Sequence, residues 1–147
     1  MSYVRDLLKS KGTEVWSVSP DSSVYEALQL MAEKNVGALL VLQRKELVGI
    51  FSERDYARKV ILEGKFSKNT PVKEIMSSNI LFVRPDQTIE ECMALMTDKH
   101  FRHLPVYEGK NLIGLISIGD VVKAIISGQK IEIKQLENYI TGILYGY

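Results

Sequence analysis

GLISIGD, residues 114–120, is a small polar turn set between an apolar run and the following VVKAII. Nearly the same turn occurs earlier as GIFSERD, residues 49–55. Working outward from the two turns at a constant offset extends the match in both directions without a gap. VSPDSSVYEALQLMAEKNVGALLVLQRKELVGIFSERDYARK falls on VRPDQTIEECMALMTDKHFRHLPVYEGKNLIGLISIGDVVKA. About a third of the paired residues are identical, and most of the rest exchange one apolar residue for another, the mark of an internal repeat. Val18/Val83, Pro20/Pro85, Leu39/Leu104, Val41/Val106, Gly49/Gly114, Ser52/Ser117 and Asp55/Asp120 all coincide.

Each copy carries one pattern of elements. A short β-branched or aromatic run, EVWSV or ILFV, comes first. SPDSS or RPDQT then opens a helix, with Asp and Ser or Thr as candidate caps. Apolar residues follow at helical spacing: Val24, Leu28, Met31 and Ala32 in one copy, Ile89, Met93 and Met96 in the other. GALLVL and LVGIF, or HLPVY and LIGLI, read as hairpin strands joined by a few polar residues. A second helix closes each copy, giving β-α-β-β-α twice and an α+β class. A unit near 60 residues is marginal alone. The two copies are therefore expected to pack sheet to sheet as one pseudo-twofold module over 1–147. The expected bounds are 1–62 for repeat one, 63–71 for a polar linker, 72–128 for repeat two and 129–147 for a C-terminal amphipathic helix. VRDLL at 4–8 and PVKEIM at 71–76 read as matching lead-ins, and Ile133, Leu136, Ile140 and Leu144 as an apolar stripe that needs cover.

Composition narrows the class. The chain has 147 residues, 46% hydrophobic and 25% charged, as in an ordinary soluble domain. A net charge of +1 gives no field that would draw in nucleic acid or membrane. No apolar run approaches the ~20 residues of a membrane span, and the amphipathic N-terminus is no secretory signal. One cysteine, Cys92, rules out an intrachain disulfide. The default expectation is a cytoplasmic protein.

Two readings of the turn stay open. Ser117 with Asp120, and Ser52 with Asp55, fit the S-x-x-[DE] capping pattern, which needs no ligand. A helix N-terminus also favours anions. An Asp in its first turn accepts from two vicinal hydroxyls such as those of ribose, and a Ser one turn back reaches a phosphate or ribose oxygen. Arg102 and His103 read either as basic residues at an exposed strand end or as a phosphate pocket. Repeat one has Gly37 and Ala38 in their place, so the two sites should differ. His100, His103 and Cys92 match no strong zinc spacing, and a strand would send the two histidines to opposite faces. No metal site is expected. Cys92 falls on an apolar helical stripe and reads as a buried small residue. No P-loop, nucleophile elbow or zincin motif is present, and the two acids lack a nucleophile or second acid nearby in sequence.

The doubled unit resembles a pair of CBS (cystathionine-β-synthase-type) domains, the Bateman module. The resemblance rests on GIFSERDY and GLISIGDV, on GALLVL and RHLPVY, and on SPDSSVYEAL and RPDQTIEECM, and it covers nearly the whole chain. It implies a small stand-alone protein of a kind found in bacteria and, in related form, in plant organelles. It implies regulation without catalysis: an adenosine ligand bound between the repeats, AMP first, with ADP, ATP, NAD(H) or S-adenosylmethionine as alternatives. It also implies a homodimer acting on an unidentified regulated protein. A dimeric scaffold with vestigial clefts, an NAD(H)-binding redox sensor and a nucleotide-processing enzyme are the competing readings.

In such pairs each cleft draws on both repeats. The resemblance puts Ser19, Val24, Val36 and Gly37 in the first cleft, facing Arg102, His103, Leu115, Ser117 and Asp120. Gly37 leaves room for a flat adenine, with Val24, Val36 and Leu115 as walls. The second cleft joins Arg84, Ile89, Phe101 and Arg102 with Ala38, Ile50, Ser52, Arg54 and Asp55. There Arg54 or Arg84 meets phosphate, and Phe101 and Arg102 crowd the space that Gly37 leaves open. The Asp120 cleft is the stronger candidate for a mononucleotide.

Overall fold

The computed structural model describes the backbone of residues 2–145 and the side chains of residues 2–140. The fold is an α+β tandem repeat in two compact units. One unit is Glu14–Leu81; the other joins the segment through Thr13 to the chain from Phe82 onward. The elements are α1 (Val4–Lys11), β1 (Ser17–Val18), α2 (Val24–Lys34), β2 (Ala38–Gln43), β3 (Glu46–Ser52) and α3 (Glu53–Tyr56). A π-helical turn, Ala57–Ile61, and a 3₁₀ turn, Val72–Glu74, follow. Then come α4 (Ile89–Lys99), β4 (His103–Glu108), β5 (Asn111–Ser117) and α5 (Ile118–Tyr145).

The two hairpins share one register. Ala38 faces Ser52 and Val41 faces Gly49 across β2–β3; His103 faces Ser117 and Val106 faces Gly114 across β4–β5. Each has a bulge after the second of these pairs. The tips differ. Arg44 and Lys45 take φ of 53° and 69°, the mirror-image turn that suits a two-residue hairpin loop, whereas repeat two uses Gly109 at φ 60°.

The opening strands differ from expectation. In repeat one EVWSV is reduced to β1, parallel to β2. In repeat two ILFV forms no strand, and only Val83 bridges Val106. Pro105 accounts for this. Leu40, its equivalent, donates its N–H to the Trp16 carbonyl at 3.0 Å. Proline has no N–H to give, so the parallel ladder cannot extend past Val83.

The main helices begin and end alike. Ser23 Oγ accepts from the Glu26 N–H and Thr88 Oγ1 from the Glu91 N–H, both at 3.1 Å. Asn35 and His100 close α2 and α4 in the left-handed region. His100 is thus a helix C-cap and not part of the strand that begins at His103. The buried stripes are Val24, Ala27 and Met31 on α2 and Ile89, Cys92 and Met96 on α4. Leu28 and Met93 are half-buried and Ala32 is exposed, so the stripes run slightly off the expected positions. Repeat one's core gathers the α2 stripe with Leu39, Val41, Phe51, Val60, Val72 and Ile75.

The lead-ins pack crosswise. Val72 and Lys73 donate to the Ser22 and Pro20 carbonyls, and Val24 donates to Thr70, closing the free N-terminus of α2. Val4 and Arg5 donate in the same way to Gln87 and Pro85, and Ile89 donates to Ser2, closing α4. So α1, which precedes repeat one in sequence, completes the unit of repeat two.

The C-terminal stretch corrects the expected boundary at 129. α5 is one helix of 28 residues that starts at Ile118 and passes through Gly128. Gly128 keeps a negative φ and so continues the helix. Ile133, Leu136 and Ile140 are exposed on it, and the Leu144 side chain lies outside the described residues.

Candidate functional site

The repeat-two corner is built where β5 runs into α5. The Ile118 N–H donates to the Arg102 carbonyl at 2.9 Å and fixes the helix start. Ser117 and Asp120 form a reciprocal cap. The Asp120 N–H donates to Ser117 Oγ at 3.1 Å, and the Ser117 N–H donates to Asp120 Oδ2 at 2.8 Å. His103, opposite Ser117 in the ladder, shares its face of the hairpin. A third group enters from α1. Lys11 Nζ donates to Asp120 Oδ2 and to the Leu115 carbonyl, each at 2.5 Å. Among the described residues, Asp120 Oδ1 accepts no hydrogen bond. Partial burial alone would raise the Asp120 pKa, but the Lys11 hydrogen bond, the Ser117 bonds and the Lys11 charge together hold it below the usual carboxylate range. The corner therefore offers an ionised carboxylate with one open oxygen.

The repeat-one corner has the same cap and a different environment. The Asp55 N–H donates to Ser52 Oγ at 3.2 Å, while the Ser52 N–H and hydroxyl donate to Asp55 Oδ2 at 3.0 and 3.1 Å. Asp55 Oδ1 accepts from Ser77 Oγ at 3.3 Å and pairs with Lys59 Nζ at 3.1 Å. Lys59 also donates to the Ile75 carbonyl. Both oxygens of Asp55 are in use, and its side chain is 12% exposed against 21% for Asp120.

The other residues singled out from the sequence divide between surface and core. Val24 and Ile89 lie in the cores with almost no exposed surface, and Ala38 and Ile50 are also buried. Ser19 is exposed and accepts from the Asp21 N–H. Arg84 is exposed and pairs with Asp86 at 3.1 Å. Arg102 and Arg54 are exposed; Phe101 and His103 are half-buried. Val36 and Gly37 line a depression of about 500 Å³ with Leu28, Met31, Ala32, Asn35, Glu53 and Tyr56. A Cβ on Gly37 would meet only Glu53 Oε1, at 3.7 Å, so packing within repeat one does not require glycine there. Sequence reasoning missed Lys11, Lys59 and Ser77. Of these only Lys59 had a local signal, its i,i+4 spacing from Asp55.

Cys92 is buried, and burial, reinforced by Glu91 and Glu90, pushes its thiol up to about 11. The native protein is expected to resist iodoacetamide at pH 8 and to react fully in urea. Rapid labelling of the folded form would overturn the account. Among the described residues no cluster of His, Cys, Asp and Glu is arranged to hold a metal, and no helix is long and apolar enough to cross a membrane.

Comparison with known proteins identifies the doubled unit. The CBS domain profile matches residues 4–62 and again 72–127. The CBS domain-containing protein CBSX3, mitochondrial, of Arabidopsis thaliana is 40% identical over 149 residues, covering 95% of this chain and 72% of its own. A CBS-domain protein of Burkholderia ambifaria MC40-6 has a solved structure at 50% identity and a TM-score of 0.83, covering 87% of this chain and 96% of its own. The CBS domain pair of protein MJ0100, solved with 5′-methylthioadenosine and S-adenosyl-L-methionine, shares the fold at a TM-score of 0.75 and 21% identity, covering 88% of this chain and 98% of its own.

Proposed function

This chain belongs to the CBS-domain family, and from that premise we propose that it is a regulatory module that binds an adenosine nucleotide and passes its occupancy to a partner protein. The observation that carries the reading is the Asp120 corner. It presents an ionised carboxylate with a free Oδ1 at a helix N-terminus, beside Ser117 and His103. Asp120 takes the ribose hydroxyls; Ser117, His103 and Arg102 take phosphate oxygens. Asp55, with both oxygens in use, serves as a structural cap, so the Asp120 corner ranks first. The MJ0100 pair, with its two adenosine-containing ligands, supports the ligand class. AMP is the first choice, ahead of ADP, ATP, NAD(H) and S-adenosylmethionine. The module itself catalyses nothing; binding shifts its conformational equilibrium and so the partner's state.

A homodimer is part of this reading. Ile131, Ile133, Leu136, Tyr139 and Ile140 are all more than half exposed along α5, an apolar surface that a second copy would cover. One experiment tests ligand and dimer together: thermal melts with each ligand at two protein concentrations. AMP at 100 times its Kd should add about 2.7 kcal/mol to stability, and the melting temperature should rise with protein concentration. If no adenosine ligand moves the transition, the sensor reading fails. A melting temperature independent of concentration removes the dimer.

A further inference from the structure

Lys11 occupies the place that a ribose would claim. Its ammonium bonds Asp120 Oδ2, which already accepts the Ser117 N–H, and the Leu115 carbonyl. The Lys11 side chain is 34% exposed, so its charge lies at the edge of the corner and is not sealed beneath it. A vicinal diol binds a carboxylate best through both oxygens. Oδ1 is open, but the second hydroxyl must compete with Lys11 for Oδ2. An ammonium displaced from its carboxylate keeps the Leu115 carbonyl as one acceptor and has a charge and two donors left over. A neutral nucleoside breaks the ion pair and returns nothing to that charge. A nucleotide brings a phosphate, whose oxygens accept charge-assisted bonds from ammonium.

From this juxtaposition we infer that Lys11 is the specificity residue of the repeat-two corner: it guards Asp120 when the site is empty and turns to the ligand's phosphate when ribose arrives, so that AMP is taken and adenosine refused. The inference rests on the proposed ribose site at Asp120. It gives α1 a functional role besides packing, because the last residue of that helix changes partner on binding. It also gives the corner a charge-selective gate that GLISIGD alone does not encode.

The test is isothermal titration of AMP and of adenosine into the wild type, Lys11→Met, Lys11→Arg and Asp120→Ala, each checked for folding by its melt. Lys11→Met should weaken AMP about tenfold, the loss expected for one hydrogen bond between charged groups. The same change should leave adenosine unchanged or tighter, because Asp120 no longer has to be vacated. Lys11→Arg should keep the preference for AMP. If Lys11→Met leaves the AMP-to-adenosine ratio at its wild-type value while both ligands still depend on Asp120, Lys11 is only a structural tether and the inference is wrong, though the site stands. If Asp120→Ala binds AMP as well as the wild type, or the wild type binds neither ligand, the ribose site itself is wrong.

Discussion

Replacing Asp55 by alanine should cost about 2–3 kcal/mol of stability, whereas the aligned change Asp120→Ala should cost about 1 kcal/mol or less. The two residues look alike in sequence, so the difference must come from their surroundings. Asp55 is buried and accepts from the Ser52 N–H and hydroxyl, from Ser77 Oγ and from Lys59. Alanine removes the side-chain half of the reciprocal cap of α3 and leaves the Lys59 ammonium with the Ile75 carbonyl but without the Asp55 carboxylate. Removing a buried acceptor is costly because the donors that faced it, the Ser77 hydroxyl and the Ser52 N–H among them, are left unpaired. Asp120 is more exposed and accepts only from the Ser117 N–H and Lys11 among the described residues, so water replaces more of what it loses. Asp55→Asn should fall between, since the amide oxygen still accepts while the charge is lost. Urea denaturation of the three variants checks this, and equal losses for Asp55→Ala and Asp120→Ala would sink the assignment of Asp55 as a structural cap. A pH series adds a second reading. The folded pKa of Asp120 is depressed, so its contribution is present above the unfolded value near 4 and is lost as pH falls through the lower folded value. The small Asp120→Ala penalty should therefore fade in acid.

These differences mark where sequence reading stops. A gapless repeat fixes which residues are equivalent, and the structure keeps that equivalence in the register of both hairpins and in the Ser23 and Thr88 caps. The S-x-x-D turn was legible because its two hydrogen bonds are local. What distinguishes Asp55 from Asp120 is not local. Ser77 and Lys11 arrive from lead-in segments that look alike in sequence, VKEIM and VRDLL, and a repeat does not say which copy a lead-in completes. The crosswise packing shows only in the bonds themselves, Val72 and Lys73 to Ser22 and Pro20, and Val4 and Arg5 to Gln87 and Pro85. Pro105 belongs to the same class. Its missing N–H is visible in HLPVY, but that it lies where ILFV would pair follows only from the Val83–Val106 bridge. The boundary expected at 129 falls inside one helix, since glycine in a helical conformation weakens a helix without ending it.

Gly49→Val should be the most damaging single change in β3, about 3 kcal/mol or loss of folding, with Gly49→Ala near 1–2 kcal/mol. The cause is the segment that crosses the strand. A Cβ at Gly49 would stand 2.5 Å from Met76 Sδ, 2.8 Å from Met76 Cγ and 3.1 Å from the Ser77 carbonyl oxygen. Methionine can swing away, because its thioether is flexible. The Ser77 backbone cannot, since Ile50 and Ser77 exchange two hydrogen bonds of 2.9 Å beside it. Gly114 provides the control. A Cβ there would come within 2.7 Å of Leu8 Cδ2, but the three nearest atoms all belong to the Leu8 side chain and none to the backbone. Gly114→Ala should therefore cost less than Gly49→Ala, although the two glycines are equivalent in the repeat. Met76→Ala added to Gly49→Ala should recover part of the loss by opening the space the new methyl needs, a coupling that separates steric crowding from a general weakening of the strand. If the double variant is only as stable as the sum of its single losses allows, the close approach of Met76 is not what keeps residue 49 a glycine.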